Sequence, residues 1–207
     1  MGNQGLSDLP MKLKLPIQQT FARSPIEKVL AKRRSVRSYS EKEFTERDAA
    51  RFLWAAQGIS SAEGFRTAPS AGAFYPLEIR LIAGKVQGLE SGVYRYLPND
   101  AALLQELKGD FRADLSKAAL SQPQILNAPA NLLISAIYPR ITSKYLKRGI
   151  RYTHMEAGHA AQNVCLLAAD LGFGTCPIGA FEDEEVQKIL KLPINDAPLY
   201  ILPLGRI

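Results

Sequence analysis

Apolar and polar positions along the chain follow two periods, and each change of period marks an element boundary. Ser24-Pro25-Ile26-Glu27 is a capping-box start with proline at the first helical position. It predicts a helix of about nine residues that ends at the basic run Lys32 to Arg34. A second helix is predicted from about Glu46 to Gln57, capped by Thr45 with Asp48 three residues on and closed by Gly58. Ala49, Phe52, Leu53 and Ala56 give it a buried face.

A loop from Ser60 to Pro76 leads into Leu77 to Ile82, whose alternation is that of a strand, and Gly92 to Leu97 reads as a second strand. Helical segments are predicted from about Ala101 to Leu107 and Asp110 to Ala119. Ala130 to Ile137 is a near-continuous apolar run that fits a central strand. Arg140 to Arg148 reads as a basic helix. The longest helix is expected from about Tyr152 to Leu171, ended by Gly172 and lined with small residues. A short strand over Thr175 to Ile178, a helix over Asp183 to Leu190 and a last strand over Leu199 to Leu204 complete the reading. With no internal repeat and no dividing linker, residues 24–207 read as one α+β domain, a mixed central sheet flanked by helices. Residues 1–23 read as an arm, in which Met11, Leu13 and Leu15 between Pro10 and Pro16, with Ile17 after them, suit an extended segment against another surface.

Composition narrows the classes. With 207 residues, 46% hydrophobic and 22% charged, the chain can bury a sizeable core and does not have the composition of a disordered one. The net charge of +6 admits nucleic acid, but the cations are scattered apart from Arg33 to Arg37 and Arg140 to Arg151, which argues against it. Cys165 and Cys176 have neither metal-ligand spacing nor disulfide-scaffold density and read as buried thiols. No apolar run is long enough for a bilayer and no secretory signal is legible, so no membrane partner and a cytoplasmic location are expected.

Familiar catalytic arrangements are missing. There is no Gly-x-Ser-x-Gly elbow, no P-loop, and Gly172-Phe173-Gly174 follows a helix instead of opening one. His154 and His159 are five apart, which rotates them by about 140° on a helix, so no metal site is expected. The basic run has two open readings. Its charges complement the C-terminal dipole of the preceding helix, or its guanidinium groups and Ser35 form a phosphate clamp.

Three segments rich in backbone donors and guanidinium groups remain: Arg33 to Arg37, Pro69-Ser70-Ala71-Gly72-Ala73-Phe74-Tyr75-Pro76, and Cys176-Pro177-Ile178-Gly179-Ala180-Phe181, with Arg206 as a fourth piece. Adding Gly92-Val93-Tyr94-Arg95-Tyr96, the helix from Tyr152 to Asn163 and the closing Pro203-Leu204-Gly205-Arg206, the sequence resembles the FMN-dependent nitroreductase family from about Arg33 to Ile207. Within that family it is similar to the SagB-type dehydrogenases.

The resemblance implies a nitroreductase-like fold with FMN at a homodimer interface. It implies that Arg33, Arg34 and Ser35 grip the FMN phosphate, that Arg206 closes on it, and that Arg37 lies near the flavin pyrimidine. Pro69, Ser70, Ala71 and Gly72 would run beside the isoalloxazine, with Ala73 or its neighbours in place of an asparagine common in the family. Pro177, Ile178, Gly179 and Ala180 match the segment whose backbone N–H addresses flavin N5. The implied activity is hydride transfer from NAD(P)H to a nitroaromatic, quinone or related small acceptor by a ping-pong mechanism. The alternatives are an azoline dehydrogenase acting on a peptide heterocycle and a non-enzymatic flavin-binding protein. Phe74, Tyr75, Tyr145 and Tyr152 are candidate aromatic walls, and Tyr152 or Tyr75 a candidate general acid.

Overall fold

The computed structural model describes residues 12–13 and 24–207, so the expected arm falls almost wholly outside the described residues. Both predicted capping boxes form. Helix α1 (Pro25–Lys32) opens with Glu27 N–H donating to Ser24 Oγ and Ser24 N–H donating to the Glu27 carboxylate. Helix α2 (Glu46–Gln57) opens in the same way on Thr45 and Asp48.

Six strands follow: β1 (Leu77–Ala83), β2 (Gly92–Leu97), β3 (Ala102–Lys108), β4 (Ala130–Ile137), β5 (Phe173–Thr175) and β6 (Asp196–Arg206), in the order β3-β2-β1-β4-β6-β5. The sheet expected to be mixed has only antiparallel ladders, and the parallel pairing among the described residues is the isolated bridge from Thr45 to Gln87. Short turns join β1 to β2 and β2 to β3, and such turns permit only antiparallel neighbours.

Helices cover both faces. Against one face lie α2 and α6 (Arg148–Leu171), where Phe52, Leu53, Ala157, Ala160 and Val164 meet Ile79, Leu81, Leu132, Ile134 and Leu202. The small residues of α6 let it lie close to its neighbours. Against the other face lie α3 (Arg112–Ala118), α4 (Pro123–Asn127) and α7 (Asp183–Ile189), packing on Ile82, Val93, Leu133 and Ile201. One end of this second face is polar instead. Arg80 and Asp196, 2% and 1% exposed, pair at 2.7 Å, and Arg80 also holds Ser135 and Glu106.

Several elements differ from the sequence reading, which also gave no helix at α4 and carried the basic helix to Arg148, where α5 (Pro139–Tyr145) ends at Tyr145. Residues 102–108 form β3 instead of a helix, because the good helix formers of Ala-Leu-Leu-Gln-Glu-Leu-Lys are recruited by the free edge of β2. Helix α6 starts at Arg148, since the break after α5 is only the two-residue turn Leu146-Lys147, with Leu146 at φ 49°. Strand β5 ends at Thr175. Pro177 lacks a ladder N–H, and pairing resumes only at the isolated bridge from Ile178 to Ile201. Strand β6 begins three residues earlier than expected, where Asp196 pairs with Ile137. Among the described residues no helix is long and apolar enough to cross a membrane.

Candidate active site

After α1 the chain runs extended from Arg33 to Ser40 along the β5–β6 edge. Val36 N–H donates to the Thr175 carbonyl at 3.0 Å and Ser40 N–H to the Arg206 carbonyl at 2.8 Å. Glycines allow this approach: a Cβ on Gly174 would lie 2.6 Å from Val36 Cγ1, and one on Gly205 would lie 2.7 Å from the Tyr39 ring. Arg33 to Arg37, Thr175 to Ala180 and Arg206 thus share one edge of the sheet, although they are far apart in sequence.

The basic run divides by role. Arg34 turns back to donate to the Ala31 and Arg33 carbonyls at 3.0 and 2.7 Å, satisfying the end of α1 as the dipole reading expects. Arg33, Ser35 and Arg37 spend no side-chain hydrogen bond or ion pair on the described residues, and Ser35 and Arg37 are exposed. Arg33 and Arg37 act at a distance. Burial pushes the Cys165 thiol up to about 11 against the Arg33 charge, and burial raises the Tyr39 phenol further still against Arg37. Arg206 is engaged instead: its Nη2 lies 3.2 Å from both carboxylate oxygens of Asp48, its Nε donates to the Glu43 carbonyl, and its guanidinium lies over Phe173. Closure of Arg206 on a phosphate would require its release from Asp48.

The segment after β5 presents unused donors. The N–H groups of Gly179 and Ala180 are exposed and donate to no described residue, while the Ala180 carbonyl accepts from Gln122 at 3.1 Å. Tyr39 Oη and Thr175 Oγ1 are buried on the same edge without a partner. Two uncommitted guanidinium groups, a free hydroxyl, two free amides and two orphaned hydroxyls suit a phosphorylated, hydrogen-bonding planar group such as FMN.

The Ser70 loop forms a separate cluster. Ala71 to Ala73 make one 3-10 turn in which Gly72 takes φ 63°, followed by Ala73 at 55° and Tyr75 at 46°. Tyr75 N–H donates to Ser70 Oγ at 2.9 Å, and the Tyr75 hydroxyl accepts from Arg66 N–H beneath the Arg66 guanidinium. Three of the four candidate aromatics meet here. Phe74 stands edge-on to Tyr145, and Tyr145 edge-on to Tyr152. The Tyr145 hydroxyl lies 2.8 Å from where a Gly72 Cβ would sit, so both space and φ favour glycine there. The fourth, Tyr75, belongs instead to the loop's internal support.

Among the described residues no hydrogen bond or ion pair links this loop to the Arg33 edge. Helix α6 spans the gap between them. Its Glu156 faces the Ser70 loop and its Cys165 feels Arg33, and nine residues of helix separate the two by about 14 Å.

Sequence reasoning missed the polar cluster under the loop. Gln57, fully buried at the end of α2, donates to Glu156 at 3.3 Å and accepts from Arg66 at 3.0 Å. Burial pushes the Glu156 carboxyl up to about 7, opposed by the Ser70 hydroxyl, the Gln57 amide and the Arg66 charge. The available signal was a carboxylate on the alanine-lined face of α6, beside Thr153, Ala157 and Ala160. His154 bonds the Tyr138 hydroxyl at 2.8 Å, and the described residues contain no cluster of three or more metal-ligating side chains.

The sequence model of the nitroreductase family matches residues 30–206. MJ1384 of Methanocaldococcus jannaschii, which carries a provisional nitroreductase name, is 48% identical over 181 residues, 87% of this chain and 90% of its own length. McbC of Escherichia coli, a microcin B17-processing protein, is 28% identical over 69% of this chain and 54% of McbC, so the chain spans about half of that relative. A chain of the Escherichia coli microcin synthetase McbBCD complex matches with TM-score 0.80 at 23% identity, over 99% of this chain and 79% of that one. The NADPH:FMN oxidoreductase of Vibrio harveyi, solved with NAD+, matches with TM-score 0.63 at 18% identity, over 87% of this chain and 68% of that one. At those identities the two solved structures establish the fold alone.

Proposed function

Since this chain belongs to the nitroreductase family, we propose that it is an FMN-dependent oxidoreductase, working as a cytoplasmic homodimer. Bound FMN would supply the redox chemistry of a ping-pong hydride transfer from NAD(P)H to a nitroaromatic, quinone or related small acceptor. The observation that carries the reading is the set of uncommitted donors along the β5–β6 edge. Arg33 and Ser35 bind the phosphate, with Arg34 adding a donor if it leaves the end of α1. Arg37 places positive charge beside the pyrimidine edge, where electron density increases on reduction. The Gly179 and Ala180 amides donate toward N5, with Pro177 and Ile178 setting their direction through the bridge to Ile201.

Division of the site into two clusters supports the dimer. A second copy would bring its Pro69 to Gly72 segment, with Phe74, Tyr145 and Tyr152, to the first copy's Arg33 edge and complete one pocket. That aromatic wall excludes water from the reacting face, and the Tyr152 hydroxyl is the candidate proton donor, since Tyr152 stands in that wall while Tyr75 is held in the loop's own support under Arg66. Ile26, Leu30, Leu146 and Met155 are exposed apolar side chains that such a contact would cover.

Likeness to McbC favours a second reading, an azoline dehydrogenase of SagB type drawing hydride from a peptide heterocycle. One experiment separates the reductase from the dehydrogenase and from a flavin carrier without activity: load the protein with FMN, desalt, and mix it anaerobically with NADH or NADPH. Bleaching of the flavin bands supports the reductase. Persistent bands favour the dehydrogenase or the carrier, and the absence of retained flavin contradicts all three.

A further inference from the structure

Glu156 is a buried acid with no assigned part in the reading above. Its residue is 2% exposed, its Oε2 is buried without a hydrogen-bond partner, and its Oε1 accepts from Gln57 Nε2. Gln57 in turn accepts from Arg66 Nη1, whose guanidinium stacks 4.3 Å over the Tyr75 ring. On its other side Glu156 faces Ser70, whose Oγ accepts from Tyr75 N–H and whose own hydrogen is free to turn to the carboxyl. Both routes therefore end on Tyr75, a non-glycine residue held at φ 46° at the end of the loop.

We propose that Glu156 is a positioning residue, which through Ser70 and through Gln57 and Arg66 couples one buried proton to the grip on the Ser70 to Tyr75 loop. The direction follows from linkage. Arg66, bonded to Gln57, and Ser70 both favour the ionised carboxyl, so while the carboxyl stays buried its ionisation in turn favours the arrangement that keeps them beside it. Burial opposes ionisation and brings the switch to neutral pH. The charged group facing Glu156 is Arg66, which is itself surrounded by Tyr75, Glu78, Arg140 and Tyr96. Glu78 also acts on Arg66 but is shared with Arg140 and Arg95, and Glu156 is the acid that acts on Arg66 most.

The consequence for cofactor rests on the flavin reading: a loop held in place before binding costs less to order, so FMN binds more tightly when Glu156 is ionised.

The test is amide hydrogen exchange on the ligand-free chain at about pH 6 and pH 8, corrected for intrinsic rates. In the wild type, protection of the Arg66 and Tyr75 amides should rise by about tenfold with pH, the worth of a charge-assisted bond over a neutral one. Glu156→Gln should remove that rise, and amides of the core strand β4, which report global opening, should not share it. Ser70→Ala should remove it at Tyr75 alone. A flat wild-type profile, or the same rise in Glu156→Gln, overturns the proposal. FMN affinity is then compared between wild type and Glu156→Gln at each pH, so that the titration of the phosphate itself cancels. Wild type should gain several-fold over the variant at the higher pH, and equal affinities would overturn the cofactor consequence. If the exchange follows Glu156 but FMN binds at neither pH, the flavin reading fails and the loop coupling stands.

Discussion

Arg206 places its Nη2 3.2 Å from both carboxylate oxygens of Asp48, and Asp48 also closes the capping box of α2. One carboxylate therefore fixes the start of a helix and the end of the last strand. Asp48→Ala should lose about 2 kcal/mol, the cap and a partly exposed ion pair together. Urea unfolding measures it, and a loss below about 0.5 kcal/mol would show that the tie is incidental.

Gly72 meets two constraints at once, a φ of 63° and the Tyr145 hydroxyl 2.8 Å from its missing Cβ. Gly72→Ala should cost about 2 kcal/mol. Combining it with Tyr145→Phe should recover part of that loss, because the hydroxyl goes while the backbone strain stays. Full recovery in the double variant would locate the whole cost in the steric contact.

Stability should carry the signature of Glu156. Its carboxyl ionises near 4.5 when unfolded and near 7 when folded, so between those values the folded state holds more protons. That contribution is fully present below about pH 4.5 and is lost as pH rises through 7, about 3 kcal/mol in all. Glu156→Gln should remove this downward slope and be the more stable protein above pH 7. Parallel pH profiles for the two proteins would contradict the buried-acid assignment.

Legibility in the sequence followed the range of each interaction. The two capping boxes are local, and both helix starts fall where Ser24-Pro25-Ile26-Glu27 and Thr45 with Asp48 place them. Strand β3 was hidden because its composition suits a helix and only the β2 edge decides otherwise. The ties of Arg206 to Asp48 and Gln57 to Glu156 cross 158 and 99 positions, and no spacing rule marks them. The basic run divides between Arg34, which turns to the helix end, and Arg33 and Arg37, whose side chains stay uncommitted among the described residues.

A phosphate clamp at Arg33 and Ser35 is tested most directly by equilibrium binding of FMN against riboflavin, which lacks the phosphate. Wild type should prefer FMN by at least about a hundredfold, as two charge-assisted contacts supply, and Arg33→Ala should lose most of that preference with riboflavin binding unchanged. Equal affinity of wild type for the two flavins, or an unchanged preference in Arg33→Ala, would contradict the account.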